Sequence, residues 1–213
     1  MDKNLKSVQD KKMDRAAAAL EKNGYTVIKV DTKEDVIKAI EGYVKEGDVV
    51  GIGGSMTLFE TGVINWLHEN GCTLLDRYEK GLTGPQIGEI FRQSLLSDVY
   101  LTSTNAVTED GRLVNVDGNG NRVAAMLFGP KSVIVIAGHN KIVEDVESAV
   151  YRIETVAAPA NTARLSCKTP CAETGRCMDC ASEERICNIT TIIRKRPQLT
   201  DFHVIIVDED LGY

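Results

Sequence analysis

Long apolar runs, clustered cations and histidines are all scarce in this chain. No uninterrupted hydrophobic stretch approaches the length of about 20 residues that spans a bilayer, so no membrane span is expected. The one short basic run is RKRP at 194–197, and the formal net charge is −6. With a pI near 5.2 this argues against nucleic acid as the main partner, because phosphate neutralisation requires clustered cations. The opening segment MDKNLKSVQDKKMDR has no apolar signal core, and its acids and helix formers do not fit a transit peptide. The expected address is the cytoplasm. There is no internal repeat and no low-complexity tract.

What is present fits a globular α/β protein. The 213 residues suffice for one large domain, or for a core with a small appendage, and 43% hydrophobic content permits a sizeable interior. Residues 1–23 read as a helix with Val8, Ala16, Ala17 and Leu20 on one stripe, ended by Asn23-Gly24. YTVIKV (25–30) reads as a strand. Thr32 and Asp35 resemble a capping pair for a helix carrying Val36, Ile37, Ile40 and Val44. DVVGIG is a buried strand, followed by a glycine-rich loop and a helix through Leu67. CTLLD (72–76) is a short strand, and Pro85 opens the helix PQIGEIFRQSLL. DVYLTS (98–103) and SVIVIAG (132–138) are central strands, separated by a hairpin around Glu109-Asp110-Gly111 and a short helix, VAAMLFG. Residues 140–156 read as a helix, composition shifts after Pro159, and FHVIIVDEDLGY returns to strand character. This alternation predicts a mostly parallel sheet with helices on both faces.

Three stretches carry candidate chemistry. In DVVGIGGSMTLFETG (48–62), Gly51, Gly53 and Gly54 remove Cβ atoms where the backbone turns or approaches a ligand. Ser55 and Thr57 add hydroxyls, and the next helix presents free N–H groups, which together form an anion cradle for phosphate, carboxylate or a pantetheine linker. A plain strand-to-helix turn is the competing reading. Met56 stands where the dinucleotide fingerprint needs its third glycine, and no Gly-Lys-Ser/Thr follows. Glu60, one turn into the helix, is either a general base or a solvated acid.

The polar run 102–131 brings Asn105, Asn115, Asn119, Asn121 and Arg122 together, a set suited to a carboxylate or phosphate. Turn chemistry accounts for Glu109-Asp110-Gly111 but less well for the six residues from Asp117 to Arg122. His139, after a strand end, is placed to approach a crevice at the C-terminal ends of the strands.

Five of the six cysteines fall within CKTPCAETGRCMDCASEERIC (167–187). Cys177 and Cys180 form a CxxC, and Cys171 and Cys187 complete four thiolates. Soft sulfur without histidine selects an iron–sulfur cluster, such as [4Fe–4S], or zinc; a redox dithiol is the third option. Cys167 is a spare sulfur, and Cys72 reads as a small buried hydrophobe.

GIGGSMTLFETG, LTSTNAVTEDGRLVNVDGNGNRVAAMLFGPKSVIVIAG, RIETVAAPANTARL and TPCAETGRCMDC, taken together, resemble the LUD domain family of lactate-utilisation proteins, once grouped as a domain of unknown function. The resemblance runs from about residue 10 to the final DEDLGY. It implies a Rossmann-like fold of the NagB/RpiA/CoA-transferase type: a single LUD domain over 1–213 containing a Cys-rich loop at 164–190. The GGS turn is similar to the phosphate loop of ribose-5-phosphate isomerases, and the hairpin to the GD-x-x-N loops of sugar-phosphate isomerases. Relatives act in bacterial L-lactate oxidation alongside iron–sulfur proteins. The chain lacks the tandem C-x2-C-x2-C-x3-C-P runs of a longer relative. The site residues implied are Gly53, Gly54, Ser55, Thr57 and Glu60 in the first loop, with Asn105, Glu109, Asn115, Asn119 and Arg122 in the second.

Three functions follow as expectations. The first is a redox component that acts on or near a small organic acid such as lactate, with an iron–sulfur cluster on Cys171, Cys177, Cys180 and Cys187. Its partners would be a small anionic metabolite and other iron–sulfur or flavin redox proteins; homo-oligomerisation is left open. The second is an isomerase- or CoA-transferase-like enzyme with a structural zinc loop, in which Glu60 or Glu109 moves a proton or attacks a thioester. The third is a non-catalytic metabolite-binding module.

Overall fold

A computed structural model describes residues 2–213. Helix α1 (Lys3–Lys22) starts on Asp2, whose carboxylate accepts the Asn4 and Leu5 N–H groups, and it buries Met13, Ala16, Ala17 and Leu20. Strand β1 (Thr26–Val30) and helix α2 (Asp35–Ile40) follow. Strand β2 (Val49–Ile52) leads through residues 53–55 into α3 (Met56–Glu60) and α4 (Val63–Glu69). The sequence predicts one helix here; Gly62, at φ 70°, breaks it in two. Next come β3 (Thr73–Leu75), α5 (Gly84–Ser94) with a capping box at Thr83 and Gln86, and β4 (Val99–Thr102).

The expected hairpin is β5 (Ala106–Thr108) with β6 (Leu113–Asp117), followed by α6 (Asn121–Leu127) and β7 (Ser132–Gly138). Where a helix over 140–156 is predicted, the chain first makes a 3-10 turn at His139–Lys141 and a short strand β8 (Ile142–Val143). Only then does α7 (Val146–Arg152) begin; it runs through a π-helical turn (Ile153–Ala157) into α8 (Ala158–Arg164). Pro159 lies just after the π turn, whose altered hydrogen-bond register accommodates its missing N–H within the continuous helical run. Helix α9 (Pro170–Thr174), β9 (Ile189–Ile193) and β10 (Asp201–Val207) complete the path.

The main sheet has six strands in the order β1-β10-β7-β4-β2-β3, and every pairing in it is parallel. Alternate residues of its central strands feed two separate interiors. Val133, Val135, Phe202, Val204 and Ile206 pack toward α1 and α6, whereas Ile134, Ile136, Ile205 and Val207 pack toward α2, α3 and α4. Burial on both faces is why these strands read as continuous apolar runs. A second sheet, β8-β5-β6-β9, includes the hairpin and packs on α7 through Ala106, Val114, Ala149 and Ile153. Residues that follow the cysteine segment therefore join the small sheet first, through β9 against β6, before β10 enters the main one. Among the described residues, no helix is long and apolar enough to cross a membrane.

Candidate functional site

The C-terminal ends of β2, β4 and β7 deliver three loops to one crevice, as parallel sheets do for ligand sites. A cavity of about 200 Å³ lies there, with walls that include Gly54, Ser55, Arg77, Ser103, Asn105, Asn119, Arg122, Lys141, Arg164 and Tyr213. Its volume is below the range of roughly 300–1,000 Å³ usual for drug-sized ligands, which fits a small metabolite.

Lys141 closes the 3-10 turn after β7 and is only 2% exposed. Its Nζ donates to the Thr57 and Ser103 hydroxyls, each at 2.9 Å. No carboxylate among the described residues pairs with it. Burial, reinforced by the nearby Arg152 and Arg122 guanidiniums and opposed by Glu60, pushes its pKa down to about 7. In the sequence Lys141 falls within the helix expected over 140–156, where nothing singles it out. The available signal was its position three residues past the end of a central strand.

Arg122 has a different role from a free anion receptor. Nε and Nη2 bond Asp117 at 2.9 and 2.5 Å, Nη1 bonds Asn115 Oδ1 at 2.6 Å and the Ser103 carbonyl at 3.0 Å, and Nη2 also reaches Asn105 Oδ1 at 2.9 Å. The ion pair is nearly buried, with side chains 11% and 7% exposed. The guanidinium thus braces the loops after β4 and β6, and both asparagines serve in that brace. Asn115 Oδ1 also accepts from Thr104 Oγ1 at 3.0 Å, and Asn105 Oδ1 from the Val116 N–H at 2.9 Å. Arg152 holds the Asn105 carbonyl at 2.7 Å.

In the first loop, the two glycines differ in purpose. A Cβ on Gly53 would lie 2.3 Å from Thr102 Oγ1, so this glycine serves strand packing. Gly54 lines the cavity, and a Cβ there would sit 3.1 Å from Arg77 Nη1. Ser55 also lines the cavity, with no capping bond from its hydroxyl. Thr57 is fully buried and reaches the site through Lys141. Arg77, absent from the sequence-based set, stacks 4.4 Å from the Phe91 ring and makes no ion pair among the described residues.

The two carboxylates lie off the cavity wall. Glu60 Oε2 accepts the Gly212 N–H at 2.7 Å, and Glu109 pairs with Arg15 of α1 at 2.6 Å. His139 faces the C-terminal acids instead, with Nε2 3.0 Å from Asp210.

All six cysteines are free thiols among the described residues. Cys171, on α9, is buried with its Sγ 3.3 Å from Thr162 Oγ1 and 3.4 Å from Thr169 Oγ1. The CxxC turn depends on Asp179 at φ 44°, a conformation aspartate tolerates. Cys180 is lowered by hydrogen bonds from Ser182. Burial raises Cys187, with the charges of Cys177 and Cys180 adding to the effect, so these three thiols are neighbours. The charge of Cys171 acts on Cys167 instead. No group of three or more Cys, His, Asp or Glu side chains able to hold a metal ion forms among the described residues. As placed, the sulfur donors are chemically suited to a cluster or to zinc but do not close around one. The loop still reaches the crevice: Ile186 lines the cavity, and the Asn188 N–H bonds the Asp117 carbonyl at 3.0 Å.

A family model described as "LUD domain" matches residues 13–207. The crystal structure of a DUF162 family protein from Deinococcus radiodurans is similar in fold, with a TM-score of 0.53 and 15% identity, covering 93% of this chain and 98% of that one. No curated protein matches the chain.

Proposed function

Because this chain belongs to the LUD domain family, we propose that its strand-end cavity binds a small organic acid of the lactate class. The observation that carries this reading is a small cavity walled by the guanidiniums of Arg77, stacked on Phe91, and Arg164, neither of them paired with a carboxylate among the described residues. Guanidiniums without a carboxylate partner favour an anion that accepts charge-assisted hydrogen bonds. Arg77 presents its planar guanidinium over Gly54, a geometry suited to bidentate capture of a carboxylate. Ser55 and Asn119 supply neutral hydrogen bonds around the remainder of the ligand. Titration calorimetry with L-lactate and pyruvate tests it. Saturable binding that Arg77→Ala weakens by about tenfold or more supports the reading, since a charged hydrogen bond contributes roughly 1.5–3 kcal/mol. Binding of ribose 5-phosphate in preference to either acid would favour the sugar-phosphate alternative instead.

A redox role is the second reading, and the contact of Ile186 with the cavity, one residue before Cys187, favours it. An iron–sulfur cluster bound by Cys171, Cys177, Cys180 and Cys187 would supply one-electron chemistry to an acid in the crevice, with iron–sulfur or flavin proteins as electron partners. The reading requires Cys171 to turn away from Thr162 and Thr169 toward the other three thiols. Oxygen-free purification followed by iron, sulfide and zinc analysis tests it. Colourless protein with stoichiometric zinc would end the redox reading and leave a structural metal loop.

A further inference from the structure

We propose that Lys141 captures 2-oxo acids, the oxidised partners of 2-hydroxy acids, as a covalent imine in the strand-end cavity. The inference rests on the organic-acid reading of that cavity and adds a reaction to it. It begins with the hydrogen bonds around Nζ. Thr57 Oγ1 directs its own proton to the Leu211 carbonyl at 3.3 Å, and Ser103 Oγ directs its proton to the Thr104 carbonyl at 3.3 Å. Both hydroxyls are therefore left as acceptors, and each takes one hydrogen from Nζ at 2.9 Å. A neutral amine has two hydrogens and one lone pair. The two hydrogens are thus engaged and the lone pair remains over. An ammonium group would have a third N–H without a partner among the described residues, in a site that already holds the buried Arg152 and the nearly buried Arg122.

Surroundings of this kind make a lysine nucleophilic, since burial and neighbouring cations both disfavour its charged form. Arg77 and Arg164, on the cavity wall, receive the carboxylate of the acid, which turns its adjacent carbonyl carbon toward Nζ. In the step, a bond forms between Nζ and that carbon. The carbonyl oxygen leaves as water and takes both amine protons. One amine and one oxo acid give one imine and one water, so no oxidant or reductant is required. A 2-hydroxy acid has no carbonyl and cannot react this way.

The test treats the full chain with pyruvate and sodium borohydride, then maps the modified lysine by mass spectrometry of the digest. The expected result is a reduced pyruvate adduct on the peptide containing Lys141, enriched about tenfold or more over any surface lysine, as its larger neutral fraction requires. Lactate should give no adduct, and Lys141→Met should remove the signal. Because mapping uses the unmodified chain, a poorly folded variant does not blunt the result. Adducts spread evenly over surface lysines would overturn the proposal. Calorimetric binding of pyruvate with no adduct would also overturn it while leaving the organic-acid site intact; absence of both would remove the site as well.

Discussion

A lysine whose pKa falls from 10.5 to about 7 on folding binds fewer protons in the folded state than in the unfolded chain between those pH values. Below pH 7 both states hold the proton, and the folded state bears the full cost of a buried charge. As pH rises from 7 toward 10.5 that cost is progressively relieved, so this residue makes stability increase with pH. The whole effect is about 5 kcal/mol by the conversion of 1.36 kcal/mol per unit. Lys141→Met should therefore be more stable than the unsubstituted chain at pH 6.5. Its advantage should shrink by roughly 2–3 kcal/mol on going to pH 9. Urea unfolding at the two pH values checks this; an advantage independent of pH would mean that the amine is not desolvated. Arg122 shows the complementary limit of reading single residues. Its charge and its Asn-rich surroundings suggest a ligand receptor, but a sequence does not show how many N–H groups the fold itself consumes. Here Asp117, Asn105, Asn115 and backbone carbonyls take them.

The elements that were legible are those whose burial imposes a simple pattern. SVIVIAG and HVIIV are apolar throughout because each lies mid-sheet with a hydrophobic interior on both sides. The β5–β6 hairpin was legible from its Asp-Gly turn. Strand β9 was not, because ITTII lies in the small sheet with mostly exposed side chains, so no apolar alternation marks it. Strand β8 is too short to show a period, and missing it concealed Lys141. The glycine loop was legible as a turn after a buried strand, but the separate duties of its glycines depend on what each faces. Gly53→Ala would press a methyl against Thr102, itself fully buried in a central strand, and neither side can move aside. A cost of about 1–3 kcal/mol is expected, the usual range for overpacking. Adding Thr102→Ala should recover part of it, since removing Oγ1 takes away the nearest clash. Equal stability of Gly53→Ala and the unsubstituted chain would show that the loop is free to shift.

At the scale of the molecule, the cavity has no single owner. Its walls come from the β2 loop, Arg77 after β3, the loops after β4 and β6, the turn after β7, helix α8, the cysteine segment and the C-terminal residue. Such a site exists only when both sheets are assembled, so a ligand of the cavity binds the folded state and not the unfolded chain. Mass action then stabilises the whole fold by about 2.7 kcal/mol at one hundred times the dissociation constant. For a domain of this size each kcal/mol moves the melting temperature by roughly 2–4 °C, which gives an expected rise of about 5–11 °C. Pyruvate at saturation should raise the melting temperature by that amount, and the same concentration should do little for Arg77→Ala. The cysteine segment provides an internal comparison. It contributes one wall through Ile186, whereas most of the hydrophobic burial lies in the two interiors of the main sheet. Replacing Ile186 with Ala should therefore reduce the pyruvate-induced shift while leaving the unliganded melting temperature nearly unchanged. A large loss of unliganded stability would instead make the cysteine segment part of the folding core rather than a cover over the crevice.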